Sequence, residues 1–259
     1  MEKRHRSRLA SSFGREAVAY ADHRPGYSQA AVEWALDPSP GLRVLDLGAG
    51  TGKLTAVLVA HGFETVAVEP DPQMLAELRC SVPRVEAVPG SAEDIPLPDA
   101  SVDAVVAGNA MHWFDMDRAG PEIARVLVPN GVLSGLWNVL DDSVAWVAEL
   151  ARVAGAEAIG PRDTAESWRV GTAGIHLPTV AGRARFGSPE QQAFPHGQDR
   201  TADTLTATLG TRAGMLVMPM SERATRLGMI REFLASRPET GQGDFRLPML
   251  TCVLRTRAA

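Results

Sequence analysis

The run Val44-Leu45-Asp46-Leu47-Gly48-Ala49-Gly50-Thr51-Gly52-Lys53-Leu54 decides the fold. Its apolar part, Leu42 to Leu47, reads as a short buried strand. The strand breaks at glycines spaced GxGxG, and helical periodicity resumes at Leu54, Val57 and Leu58. Strand, glycine turn and helix together put backbone N–H groups and the positive end of a helix at the strand's carboxyl edge. Glycine suits such a turn because a ligand approaches the main chain there and the backbone can need φ > 0.

Three nucleotide-type ligands compete for this turn. A phosphate-cradling P-loop requires GxxxxGK followed by Ser or Thr. Leu47 stands at its first glycine and Leu54 follows Lys53, so that motif is absent. A dinucleotide fingerprint is GxGxxG, and Lys53 occupies its third glycine position. Asp46, which ends the strand, would repel a pyrophosphate and suits a cationic ligand carrying an ammonium group. A structural βα turn with no ligand is the remaining alternative. Downstream, Thr65-Val66-Ala67-Val68 reads as a second buried strand ending in Glu69. An acidic residue there, about 20 residues beyond the glycines, is where such folds bind ribose hydroxyls.

With these residues the chain resembles the class I S-adenosylmethionine-dependent methyltransferases. The resemblance runs through Val44 to Gly52, then Val66-Ala67-Val68-Glu69-Pro70-Asp71-Pro72-Gln73-Met74-Leu75. It continues in Gly90-Ser91-Ala92-Glu93-Asp94-Ile95-Pro96-Leu97 and Asn109-Ala110-Met111-His112-Trp113-Phe114, and covers roughly residues 13 to 138. It implies S-adenosyl-L-methionine as cofactor and S-adenosyl-L-homocysteine as product. The cofactor-binding residues it implies are Asp46, Gly48, Ala49, Gly50, Thr51, Glu69, Pro70, Met74, Ser91, Ala92, Glu93, Asn109 and Ala110. Ala92 and Glu93 would flank the adenine, and Asn109 would stand where residues approach the transferring methyl. The N-terminal pattern Phe13, Tyr20, Arg24-Pro25-Gly26-Tyr27 resembles the cap of small-molecule enzymes of the trans-aconitate type. By that resemblance Tyr20 and Arg24 become cofactor candidates, with simple packing as their alternative.

Composition bounds the remaining choices. The 259 residues, 45% hydrophobic and 22% charged, suffice for one sizeable core. No 18-residue apolar run or signal-peptide core is present, which predicts neither membrane span nor export. The two cysteines, Cys80 and Cys252, are too few for a disulfide framework and fit a reducing cytoplasm. A net charge of −5 argues against nucleic acid as partner, apart from a basic start with Lys3, Arg4, Arg6, Arg8 and Arg15. No CxxC, HxxxH or EF-hand spacing implies a metal, and no GxSxG elbow implies a hydrolase.

In order, the chain reads as strand 42–47, helix 53–60, strand 64–69, helix 72–80, strand 84–88 and a loop or short helix near 92. Strand 102–107, helix 117–127 and strand 131–138 follow. This alternation predicts a Rossmann-like, doubly wound α/β sheet of seven strands, mostly parallel with an antiparallel last strand. Residues 1–12 are expected as a flexible basic tail, and 13–259 as a single methyltransferase domain. Within it, 13–40 is a helical cap, 41–138 the cofactor-binding half, and 139–259 a substrate-lid insertion with the C-terminal strands. Beyond 141 a helix around Val144 to Leu150, a Gly- and Pro-containing insertion at 155–188, and a strand at 191–195 are expected. Helices 204–209 and 222–234 and a final strand 247–256 complete the reading.

His112, His23 and Tyr20 are the candidate catalytic groups, able to accept a proton from an acceptor N–H or O–H. For His112 a pocket-wall role stands beside the general-base role, since His-Trp-Phe recurs across the family. Trp113, Trp137, Trp146 and Trp168, with Phe114, are candidates to line a pocket for a flat or aromatic acceptor. The function expected is in-line methyl transfer to a small molecule in secondary metabolism, by a monomer or homodimer. The donor methyl is already activated, so proximity is the main catalytic effect. A nucleic-acid or protein methyltransferase and a non-methylating relative are the alternatives.

Overall fold

A computed structural model describes residues 26–160, 162–172, 179–180, 183–184 and 186–258. The candidates Tyr20, His23 and Arg24, most of the N-terminal cap and the basic tail lie outside these residues. Seven strands form one sheet: β1 (Arg43–Leu47), β2 (Glu64–Glu69), β3 (Glu86–Pro89), β4 (Val102–Gly108), β5 (Leu127–Leu140), β8 (Glu190–Arg200) and β9 (Phe245–Arg257). Their spatial order is β3-β2-β1-β4-β5-β9-β8, and the short strands β6 (Thr179–Val180) and β7 (Arg183–Ala184) pair separately.

β1, β2, β3, β4 and β5 are mutually parallel where they pair. β9 runs the other way. The Ala258 N–H donates to Gly131 O near the start of β5, whereas the Asp141 N–H just beyond its end donates to Pro248 O. The sheet is therefore mostly parallel with an antiparallel β9, as the sequence predicts. Its order reverses between β1 and β4, and at such a switch point ligands sit beyond the carboxyl ends of the strands.

By contact, the chain divides into two units, with β5, β8 and β9 contributing residues to both. Of the described residues, one comprises 26–137, 179–180, 183–184, 186–194 and 251–258. Helix α1 (Gln29–Leu36) packs against α2 (Lys53–Ala60), and α2 and α3 (Pro72–Ser81) pack on β2, with α3 also on β3. The strands' period of two puts Val44, Ala104, Val106 and Val132 on one face, in a cluster with Ala31, Val32, Leu54 and Leu58. Asp46 shares the face of Val44, so its carboxylate points into that apolar layer instead of into water. Pro72 at the first helical position and Asp71, which accepts from the Gln73 and Met74 N–H groups, start α3 just after β2. α4 (Met116–Val126) leads into β5.

The second unit comprises 138–160, 162–172 and 195–250. α5 (Ala145–Ala154), α6 (Ala165–Thr172), α7 (Ala202–Gly210), α8 (Ala213–Leu216) and α9 (Met220–Ser236) belong here. Its core joins Val147 and Leu150 of α5 to Leu205, Leu209, Ile230, Leu234 and Leu247. A Thr201–Thr204 capping box starts α7. α6 gives regular structure to part of the stretch read as an insertion.

Near 92, where a loop or short helix is expected, the loop is found, closed by an isolated bridge between Ser91 and Asp94. Several boundaries differ from expectation. Strand β5 begins at Leu127, paired with Val102, and its register shifts before Val132 pairs with Ala104. Asn130, at φ 63°, absorbs that shift, which the Pro129-Asn130-Gly131 sequence disguises as a plain turn. β8 extends five residues beyond the expected end at 195.

Candidate active site

The residues following β1, β2, β3 and β4 form the candidate site, all within the first unit. The glycine turn adopts left-handed conformations at Gly48 (φ 70°), Gly50 (φ 58°) and Gly52 (φ 86°), which only glycine adopts without strain. Their surroundings differ. A Cβ on Gly48 would stand 2.8 Å from the Ala110 Cβ and 3.4 Å from Phe114 Cε1, so the turn after β4 presses directly on the glycine turn. A Cβ on Gly52 would meet Leu78 of α3. Around Gly50, by contrast, nothing lies within 4 Å of the Cβ position.

The turn's own N–H groups are largely engaged. Gly48 and Ala49 donate to Val68 O at 2.9 and 3.1 Å, and Gly52 to Ala49 O at 3.0 Å. Gly50 N–H donates to Glu69 Oε2 at 2.8 Å, while Glu69 Oε1 accepts from Asp71 N–H at 2.9 Å. The N–H groups that the sequence places at this strand edge are thus held by Val68, Ala49 and Glu69. The turn is no anion nest, and a carboxylate occupies the place a phosphate would want.

Asp46 is fully buried. Its Oδ2 accepts from Thr55 Oγ1 at 2.6 Å, and its Oδ1, equally buried, has no partner. Burial first, and the neighbouring Glu69 charge, push its pKa up to about 7 against the Thr55 hydrogen bond. Glu69 is also raised by burial, opposed by the N–H groups of Asp71 and Gly50. The buried Thr51 hydroxyl likewise has no partner.

After β3, Ser91, Ala92 and Glu93 form the bridged turn, with Ala92 buried. Glu93 accepts the Asp115 N–H at the start of α4. The following segment is clamped to α4: Arg125 donates to Ile95 O, Leu97 O, Glu122 and Asp99, and Glu122 accepts the Ile95 N–H. Pro70 is exposed and Met74 buried at the start of α3.

After β4, Asn109 has a left-handed backbone (φ 52°) and its side-chain amide donates to Tyr27 Oη at 3.1 Å. Ala110 opens a 3-10 turn, Met111–Trp113, that carries His112. The His112 ring lies 4.9 Å from that of Trp113, and its Nδ1 accepts from Trp137 Nε1 at 3.4 Å. His112, Trp113 and Trp137 are thus brought together. Trp146 and Trp168 belong to the other unit: Trp146 sits in its core, edge-on to Phe245 with centroids 5.8 Å apart, and Trp168 is buried on α6. The sequence reading names Tyr27 only as part of the cap pattern and gives neither it nor Thr55 a role in the site. An aromatic directly after Pro25-Gly26 and a threonine nine residues beyond Asp46 were their only signals.

A family profile described as a methyltransferase domain matches residues 45–135, the span holding nearly all of these groups. A Mycobacterium bovis protein named as an uncharacterized methyltransferase is 37% identical over 252 residues, 97% of each chain. The chain belongs to the class I S-adenosylmethionine-dependent methyltransferases. A Schizosaccharomyces pombe methyltransferase, also named uncharacterized, is 30% identical over 246 residues, covering 92% of this chain and 94% of its own. An Anaeromyxobacter dehalogenans structure, described provisionally as a type II methyltransferase, is 28% identical with a TM-score of 0.65, covering 90% and 97%.

The cofactor of this methyltransferase is S-adenosylmethionine, and the site fits it. The unpartnered Asp46 oxygen suits a cationic group, the engaged N–H groups disfavour a phosphate, and the space at Gly50 admits a ligand against the backbone. Among the described residues no cluster of His, Cys, Asp or Glu could hold a metal, and no helix is long and apolar enough to cross a membrane.

Proposed function

We propose that this methyltransferase modifies a small-molecule acceptor, a flat or aromatic metabolite of secondary metabolism, as a cytoplasmic monomer or homodimer akin to the trans-aconitate type. The observation that carries the acceptor reading is the aromatic group of His112 and Trp113, with the buried Trp137 bonded to His112, on and against the turn after β4 whose Ala110 and Phe114 press on Gly48. Flat faces of this kind favour a flat partner.

The residue roles follow from chemistry. When bound, S-adenosylmethionine supplies a methyl group already activated on a sulfonium. Asp46 attracts the ammonium end of that molecule, and the open backbone at Gly50 lets it lie close. Glu69 accepts from ribose hydroxyls through the lone pairs its two N–H partners leave over. Ala92 and Glu93 flank the adenine, and the α4 clamp keeps the adjoining segment in place. Ala110 closes the turn against Gly48, and Pro70 and Met74 border the ribose side. The principal rate effect of the site is holding donor and acceptor in contact, worth up to roughly 7–11 kcal/mol in favourable cases.

For His112, the bond from Trp137 engages Nδ1, which assigns the neutral ring's proton to Nε2. That tautomer donates a hydrogen bond, so His112 orients an acceptor oxygen or nitrogen instead of deprotonating it. The test screens aromatic and carboxylate metabolites for a gain of one methylene mass with release of S-adenosylhomocysteine. His112→Ala is then compared on the best acceptor. An orienting residue leaves the pH profile of turnover unchanged; loss of its acid limb with a fall of about tenfold or more marks a base. Methyl incorporation into nucleic acid or protein, with no small molecule modified, would overturn the acceptor class.

A further inference from the structure

Among the described residues three that are not glycine have left-handed backbones: Ala100 (φ 47°), Asn109 (φ 52°) and Asn130 (φ 63°). Asn109 alone follows β4 beside the glycine turn. Such a conformation persists where the surroundings enforce it, and clusters at functional sites. Two hydrogen bonds enforce it here, from the Asn109 N–H to Leu136 O at 2.8 Å and from Nδ2 to Tyr27 Oη at 3.1 Å. Gly108 makes the second possible. A Cβ there would lie 2.5 Å from Tyr27 Oη and 2.9 Å from Cζ, so only glycine admits the phenol to this edge of the strand.

We infer that Tyr27 is a positioning residue, whose hydroxyl, seated on Gly108, fixes the Asn109 carboxamide at the sulfonium end of the cofactor site. This rests on the cofactor placement proposed above. The sulfur joins the amino-acid part, assigned to Asp46 and the β1 turn, to the ribose, assigned to Glu69 after β2. β4 pairs with β1 on the side opposite β2, so the residue after β4 borders the amino-acid side of the sulfur. With its Nδ2 turned to Tyr27, Asn109 turns its carbonyl oxygen away from the phenol. An oriented amide dipole beside a sulfonium favours the charged cofactor over its neutral thioether product.

Titration calorimetry on the full chain with S-adenosylmethionine and with S-adenosylhomocysteine reads this preference directly. Tyr27→Phe keeps the ring on Gly108 and removes one oxygen. It is expected to weaken the sulfonium ligand roughly fivefold and the thioether by less than twofold, with a melting temperature lowered by no more than a few degrees. In an Asn109→Ala background Tyr27→Phe should change nothing further. Equal weakening of both ligands, unchanged affinity for both, additive effects in the double variant, or a collapse in melting temperature would make Tyr27 a packing residue and overturn the inference. Wild-type protein that binds neither ligand would instead refute the cofactor placement on which it rests.

Discussion

Gly50→Val is expected to raise the dissociation constant for S-adenosylmethionine by about a hundredfold or more while leaving a folded protein. Two effects combine. At φ 58° a β-branched residue is strained by roughly 1–3 kcal/mol. Its side chain also enters space that no protein atom fills within 4 Å of the Cβ position, so it competes with ligand and not with the core. Gly48 would be a poorer test, since a side chain there strikes Ala110 and disturbs the fold itself. Calorimetry and a thermal melt on the same sample separate the outcomes: lost binding with a melting temperature lowered by several degrees is expected. Undiminished affinity would place the cofactor elsewhere.

The second large effect comes from Asp46→Asn, and its two readouts move in opposite directions. Removing one partner of a buried charge pair costs roughly 2–5 kcal/mol of binding, or about thirtyfold and more in affinity. Stability should rise. The folded-state pKa of Asp46, about 7, stands above its ordinary 3.8, so the folded protein holds a proton that the unfolded chain releases. The group therefore costs nothing below pH 3.8, costs progressively more as pH rises to 7, and reaches a plateau of roughly 4 kcal/mol above that. Glu69, raised in the same direction, adds to the slope. Thermal melts should show wild type losing stability between pH 5 and 8 relative to Asp46→Asn. In wild type, cofactor affinity should also fall below pH 7 as Asp46 takes up its proton. A variant no more stable than wild type at pH 8, or affinity independent of pH, would contradict this.

The parts of the fold fixed by short-range patterns were legible in the sequence. Helix 53–60 and strand 64–69 have the expected limits, because Gly52 and Gly62 bracket the helix and Gly62 and Glu69 bracket the strand. What pairing decides was less visible. The start of β5 at Leu127 depends on Val102 of a neighbouring strand, and nothing in Val128-Pro129-Asn130 announces it. The residue types of the site were legible for the same reason as the strands: Asp46, the glycines and Glu69 sit at strand ends. Their partners were not. Glu69 holding Gly50, Glu93 holding Asp115, and Tyr27 reaching Asn109 join residues 19, 22 and 82 positions apart, distances that local periodicity cannot bridge. Tryptophans were the weakest guide. Trp137 meets His112, while Trp146 packs in a core, and composition alone ranks the two equally.

The most direct test of the site is a calorimetric titration of the folded protein with S-adenosylmethionine, run beside NAD and ATP. Micromolar binding of the sulfonium alone, lost in Gly50→Val, is the result the glycine turn, Asp46 and Glu69 predict. Binding of NAD or ATP in its place, or of none of the three, would contradict the assignment of this turn to the cofactor.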